Sequence, residues 1–535
     1  MSENSNHAIQ RIYFIIIIVL LLVLIGQRLY PTHGRIQIPS GKWDKLYLIL
    51  NQIEKNYVDP INAGTIVEKS LPYILEELDP HSVYLPPAEM QSADAALEGN
   101  FDGIGITFNV PNDTAIVASV IQGGPSERAG IQQGDRIVKV NKRTIAGVKM
   151  KQDSIVKLLR GPRGTKVTIE IKRYGLSDLL PVPLVRDKIP EKSVDAFYMI
   201  DGQTGYIKLS RFSKTSYEEV LTALSELTGQ GMVKLIFDLR KNSGGYMTPA
   251  LKIANQFLDK DQLIFYTEGA HRARQNFYAE TQGLASRIEL AVLIDESTAS
   301  SSEILAGALQ DNDRGLIIGR RSYGKGLVQE PVYFSDGSGM RLTVSRYFTP
   351  TGRSLQRPYD NGRESYRYDI WERYQHGELT EADSIPKNDS LKFSTPKGKV
   401  VYGGGGIIPD LFVPLDTTKV NDFFEQAYRK NLMIRFGIQF ADNHRSELRE
   451  VKRMDELDSF FSRFHLEKDF LAFAATQGLT PKPGEWEGSK KYIMTQVHAY
   501  IGRNTPMDEQ AFYSIMGKLD RELQVAVGEM GKIVR

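Results

Sequence analysis

The chain of 535 residues contains no cysteine, which excludes disulfides, a thiol nucleophile and cysteine-ligated metal. Histidine is scarce: there are eight, and none falls between Ala291 and Gln329. A nucleophile in that stretch therefore lacks the usual imidazole base nearby in sequence. Charge of one sign is missing as well, since 67 basic residues face 65 acidic ones for a formal net charge of +2. The basic residues are scattered rather than gathered in a stripe, so nucleic acid is not expected as a partner. No fixed-period repeat and no low-complexity tract occurs. One apolar run stands out, Ile12–Gly26, and none of comparable length follows it.

That run follows Arg11 and is at the short end for a membrane span. The segment after it, Gly26-Gln-Arg-Leu-Tyr-Pro31, lacks a small-x-small cleavage site. The reading is an uncleaved anchor over 12–30 behind a short tail over 1–11, with cleavage as a signal peptide the alternative. Arg11 in the tail places the body outside the cytoplasm. Length and ordinary globular composition imply three or four domains beyond it. Trp43, Leu46, Ile49, Leu50 and Ile53 recur at helical spacing, so a helical unit is expected over 36–95. Short strands and turns then mark a β-rich domain over 96–177. Strand–helix alternation from Gly205 to about Gln356 implies an α/β core, placed over 185–415. The polar stretch Glu372–Lys399 reads as a surface excursion. Helical spacing returns in a C-terminal extension over 416–535, open to three roles: covering the core, homo-oligomerisation or binding a partner.

The chemistry concentrates at Ser300 and Lys325. Ser300 lies between the apolar run Leu290-Ala-Val-Leu-Ile294 and the helix-like Ser302–Leu309, while Lys325 is flanked by Gly324 and Gly326. A hydroxyl cannot attack an amide at neutral pH without a base, and a lysine can serve if burial disfavours its ammonium form. Serine–lysine pairs are one variant of the triad logic. At the mouth of a helix following a strand, the N–H of Ser301 is a natural donor to an oxyanion. A second donor is expected from Gly244 or Gly245 in Asp238-Leu-Arg-Lys-Asn-Ser-Gly-Gly245. Gln329, four residues beyond Lys325 on an extended stretch, can hold the amine without adding a charge. Upstream, Gly103-Ile104-Gly105-Ile106 precedes a strand and can form a nest for a peptide's terminal carboxylate, with the strand edge accepting the peptide. The third glycine and following helix of a dinucleotide fingerprint are missing there.

The order of these parts resembles the carboxyl-terminal processing peptidases, or tail-specific serine proteases. The matching segments are Leu78-Asp-Pro-His-Ser-Val-Tyr84, the PDZ-like module, Gly205-Tyr-Ile-Lys-Leu209, Asp238–Gly245, Ser297-Thr-Ala-Ser-Ser-Ser-Glu303, Ser322-Tyr-Gly-Lys-Gly-Leu-Val-Gln329, Arg346-Tyr-Phe-Thr-Pro-Thr-Gly-Arg353 and Gly404-Gly-Gly-Ile-Ile-Pro-Asp410. They cover roughly residues 40 to 415. The resemblance implies a multidomain α+β fold: a crotonase-like α/β protease core with an inserted PDZ-like β-rich domain, a helical N-terminal unit and a helical C-terminal extension. It assigns Ser300 as nucleophile, Lys325 as general base and Gln329 as its orienting partner. The Ser301 and Gly244 N–H groups would form the oxyanion hole. This chain carries Ser301 where the family pattern has alanine.

The peptide groove would be formed by Gly103, Ile104, Gly105 and Ile106, with Arg160 at the end of the groove helix sensing the bound tail. The implied activity is a serine endopeptidase acting on proteins or peptides with an accessible apolar C-terminus. It needs no metal and no cofactor. The expected location is the bacterial inner membrane, single-pass, with the body in the periplasm. A catalytically silent PDZ adaptor is the rival reading, and a hydrolase of small esters a third.

Overall fold

A computed structural model describes residues 19, 44–111, 113–417 and 420–532. The expected tail over 1–11 and, Val19 apart, the expected anchor over 12–30 lie outside them. Among the described residues no helix is long and apolar enough to cross a membrane. The chain divides into two compact units: a smaller one of residues up to Pro87 with Pro331–Leu342, and a larger one of Ala88–Glu330 with Thr343–Arg535.

In the smaller unit, the apolar spacing noted above folds as the helices Asp44–Asn56 and Ala63–Glu76. Asn62 caps the second, its side chain accepting the Thr65 N–H at 3.2 Å. Asp79 then closes a turn by accepting the N–H groups of His81 and Ser82, each at 2.8 Å. This leads into the short strand Val83–Leu85, paired antiparallel with residues 339–341. The buried Tyr84 donates to Glu68 at 2.6 Å.

The larger unit is built around a six-stranded sheet, ordered Val194–Met199, Thr204–Leu209, Lys234–Asp238, Glu289–Ile294, Leu316–Gly319 and Leu411–Phe412. The first pair is antiparallel and the rest are parallel. Helices Ser216–Gly229, Met247–Phe257 and Ser301–Asp311 cover one face, where Leu235, Phe237, Val292 and Ile317 are buried. The other face, with Ile236, Ala291, Leu293 and Ile318, is sealed by Leu523, Ala526 and Met530 of the C-terminal helix Arg521–Glu529 and its end. Burial on both faces explains why these strands read as unbroken apolar runs rather than alternating ones.

Inserted before this core is a six-stranded antiparallel sheet, ordered Ile106–Asn109, Ala115–Val120, Arg136–Val140, Lys166–Lys172 and Leu180–Val185, with the short strand Arg143–Thr144 pairing off that path with Arg136–Val140. The amphipathic helix Gln152–Leu159 turns Ile155 and Leu159 into a separate apolar core. Ile106–Asn109 is an edge strand. Asn100–Gly103, just before the expected glycine nest, is a strand paired with Asp187–Pro190, so a two-stranded ribbon carries the chain into and out of this domain.

The extension forms seven helices from Asp422–Arg429 to Glu509–Met516 around an aromatic core of Phe423, Phe436, Phe440, Phe460 and Phe470. Burial of each such side chain stabilises the fold by about 1.5–3 kcal/mol relative to exposure. The stretch expected as a surface excursion, 372–399, does run largely over the surface, but it holds two buried charges. Arg373 lies in the helix Arg363–Gln375, and both it and Glu378 are buried. Glu378 pairs with Arg373 at 2.7 Å and Arg321 at 2.6 Å. A polar composition concealed interior charges that neutralise one another.

Candidate active site

Ser300 sits where the strand Glu289–Ile294 turns into the helix Ser301–Asp311, with φ 56° and ψ −118°. A side chain bearing Cβ is strained there by roughly 1–3 kcal/mol, and the surrounding contacts must hold it. Two loops do so. Asp295 accepts the Lys241 N–H at 3.0 Å, and Asn242 O accepts both the Ala299 N–H at 3.0 Å and the Ser302 hydroxyl at 2.9 Å. The Ser301 hydroxyl donates to Gly245 O at 2.8 Å.

Gly244 is pressed against this turn with φ 96°. A Cβ there would lie 2.8 Å from Ser300 Cβ and 3.0 Å from Ser301 N, so only glycine fits. The close approach expected of the paired glycines is therefore made to the Ser300 turn. The Gly244 N–H donates to Asn242 Oδ1 at 2.9 Å.

The group that joins Ser300 to Lys325 is Glu303, which is fully buried. Its Oε2 accepts the N–H of Ser300 at 2.8 Å and that of Lys325 at 2.9 Å. Its Oε1 accepts the Ser322 hydroxyl at 2.5 Å and the Gly324 N–H at 2.7 Å. The nitrogens of Ser300 and Lys325 are thus no further apart than two hydrogen bonds laid end to end. Burial pushes the Glu303 carboxyl above its ordinary range, while these four donors pull the other way. On the far side the buried Tyr347 hydroxyl donates to Ser300 O at 3.3 Å and also to Lys325 O. Lys325 is half-buried, and its Nζ donates to Gln329 Oε1 at 2.9 Å, on the strand Leu327–Tyr333.

Ser300, Ser301, Gly244, Lys325 and Gln329 therefore converge through Glu303, Tyr347 and Asn242, none of which the sequence reading assigned a role. For Glu303 a signal existed: a glutamate three residues after a helix-capping serine is capping-box spacing. The remaining predicted residues lie in the inserted domain. Gly103 ends the ribbon strand, Ile104 is buried with its carbonyl accepting the Ser126 N–H at 3.0 Å and hydroxyl at 2.6 Å, Gly105 has φ 79°, and Ile106 opens the edge strand. The exposed Arg160 guanidinium stands 4.3 Å over the Phe101 ring, beside Gly103. Among the described residues no cluster of acidic or histidine side chains could hold a metal.

Residues 203–360 match peptidase family S41, 116–173 match the PDZ domain, and 423–505 match a family of unknown function. The carboxy-terminal processing protease CtpA of Bacillus subtilis is 32% identical over 319 residues, spanning 59% of this chain and 67% of the relative. The carboxy-terminal-processing protease of Bartonella bacilliformis is 32% identical over 312 residues, 58% of this chain and 71% of the relative. Among solved structures, a photosystem II D1 C-terminal processing protease is 28% identical, with a TM-score of 0.33 over 59% of this chain and 91% of that one.

Proposed function

Since the chain belongs to the carboxyl-terminal processing peptidases of family S41, a serine protease family with a PDZ domain here, we propose that it is an endopeptidase working through Ser300 and Lys325. The observation that carries this reading is the single carboxylate oxygen of Glu303 that accepts from both backbones, while Gln329 takes the Lys325 amine. In the proposed reaction neutral Lys325 removes the Ser300 proton as Oγ attacks the scissile carbonyl. The protonated amine then passes that proton to the leaving amine, and water hydrolyses the acyl-enzyme. Gln329 orients the amine. The Ser301 N–H at the helix mouth stabilises the oxyanion, and Gly244 supplies the second N–H on turning away from Asn242 Oδ1.

The core is proposed to be crotonase-like. The substrate's apolar tail adds to the edge strand Ile106–Asn109, its carboxylate held at Gly103–Ile106 with Arg160 alongside. The apolar run over 12–26 tethers the body to a bacterial inner membrane, with the body in the periplasm.

The test is cleavage of an unfolded protein bearing an apolar tail by the detergent-solubilised full chain and by Ser300→Ala and Lys325→Ala. Each variant should lose at least about 10³-fold in turnover. Unchanged cleavage in both would sink the assigned pair. No cleavage by the parent would favour the silent adaptor.

A further inference from the structure

The extension touches both the PDZ domain and the core. On the PDZ side its hydrogen bonds fall on the turn Gln132–Arg136 and on Tyr174. Asp442, with a side chain only 2% exposed, accepts from Arg136 at 2.6 Å and from Arg445, residues that lie 306 and 3 positions away in sequence. Arg445 donates in turn to Gln133 O, its guanidinium occupying the place a Cβ on Gly134 would take. Gln133 Nε2 donates to Arg503 O at 3.2 Å, Arg449 to Gln132 Oε1 at 3.0 Å, and Tyr174 to Asn443 Oδ1 at 2.8 Å. The turn is itself braced, with Asp135 gripping Arg173 by two bonds of 2.8 Å. Apolar residues accompany these bonds: Ile116 and Val117 line one small cavity with Ile434, Ile438 and Tyr500.

On the core side, Tyr198 donates to Tyr513 O at 3.3 Å and Tyr513 to Asp195 at 3.3 Å. Arg240 pairs with Asp520 at 2.6 Å, and Arg320 with Glu522. None of these hydrogen bonds falls on the groove helix Gln152–Leu159 or on Gly103–Ile106; the extension approaches the edge strand only at its far end, where Asn109 lines the same small cavity.

Without the extension, the PDZ domain would join the core through the ribbon Asn100–Gly103/Asp187–Pro190 and the segment leading into it. Domains joined in that way move by default unless a sizeable interface holds them. We propose that the extension is a brace fixing the PDZ domain on the core, with Arg136, Asp442 and Arg445 as positioning residues that set the distance from the captured tail to the cut bond. This rests on the tail-directed endopeptidase reading. A tail held at one point presents the chain upstream of it to Ser300 over a narrow stretch. A tail held on a swinging domain presents a broad one, at a lower effective concentration.

The experiment maps cut positions by mass spectrometry on a long unfolded substrate with an apolar tail, using the full chain. Asp442→Ala strips two arginines of their shared carboxylate, and Asn443→Ala removes the Tyr174 bond from an exposed position where folding is not at stake. The parent should cut within a narrow window counted from the tail. Asp442→Ala should spread the cuts and raise KM for the tailed substrate by about tenfold while leaving kcat/KM on a short tail-less peptide within about twofold, with Asn443→Ala intermediate. Variants that fold as the parent does, and keep its window and KM, overturn the brace. A parent that cuts without regard to the tail overturns the reading beneath it, and the brace with it.

Discussion

Glu303 holds Lys325 by its backbone, accepting the lysine N–H at 2.9 Å on the same oxygen that accepts the Ser300 N–H. The carboxylate is buried and answers four donors, so its replacement has a definite cost. In Glu303→Gln the amide offers one acceptor oxygen and places N–H donors against N–H donors. Each donor left unpaired costs about 1–3 kcal/mol. Cleavage should fall at least about 100-fold, with a lowered urea midpoint. Full activity in a stably folded Glu303→Gln would show that the two backbones need no common anchor.

Gln329→Glu keeps the shape of the Lys325 partner and adds a charge. An anion beside an amine favours the ammonium, so the acid limb of the pH–rate profile should move to higher pH by about 1 unit or more. The pH profile of kcat/KM reports it. An unmoved profile would mean that Lys325 is not the base whose ionisation limits the rate.

Gly244→Ala should impair cleavage and stability together. Its Cβ would lie 2.8 Å from Ser300 Cβ at a backbone φ of 96°, so the Ser300 turn must shift. Displacements of about 1 Å at reacting atoms cost on the order of 10² in rate. Equal kcat in the variant and the parent would refute the tight seat inferred for Ser300.

Asp508, at the start of the helix Glu509–Met516, has a carboxyl pushed up to about 6 by burial, reinforced by Glu509. Its folded value lies above its unfolded one, so the native state binds the extra proton. Its contribution to stability is therefore present below about pH 4 and is lost as pH rises through 6. Asp508→Asn should be more stable than the parent by about 1–3 kcal/mol at pH 8, with the difference vanishing near pH 4. Urea unfolding at the two pH values measures it, and a gap independent of pH would rule out this carboxyl as the source.

The parts of the molecule legible in the sequence are those written in short stretches. The turn before Ser301–Asp311, the strand Lys234–Asp238 and the groove helix Gln152–Leu159 all lie within a residue or two of where periodicity and turn residues place them. The rest depends on side-chain rotamers and on side chains meeting across long separations. Asn242 occupies the Gly244 N–H, a rotamer choice that no spacing reveals. Within the polar stretch 372–399, the burial of Glu378 depends on Arg321, 57 residues earlier, as well as on Arg373. The grip of Asp442 on Arg136 joins segments with no local pattern in common.

The far face of the core sheet is closed by Leu523, Ala526 and Met530, some 200 positions after the strand Leu316–Gly319 that they cover. Until the helix Arg521–Glu529 docks, that face is bare apolar surface, so strands that pair early leave the core half-covered and prone to association.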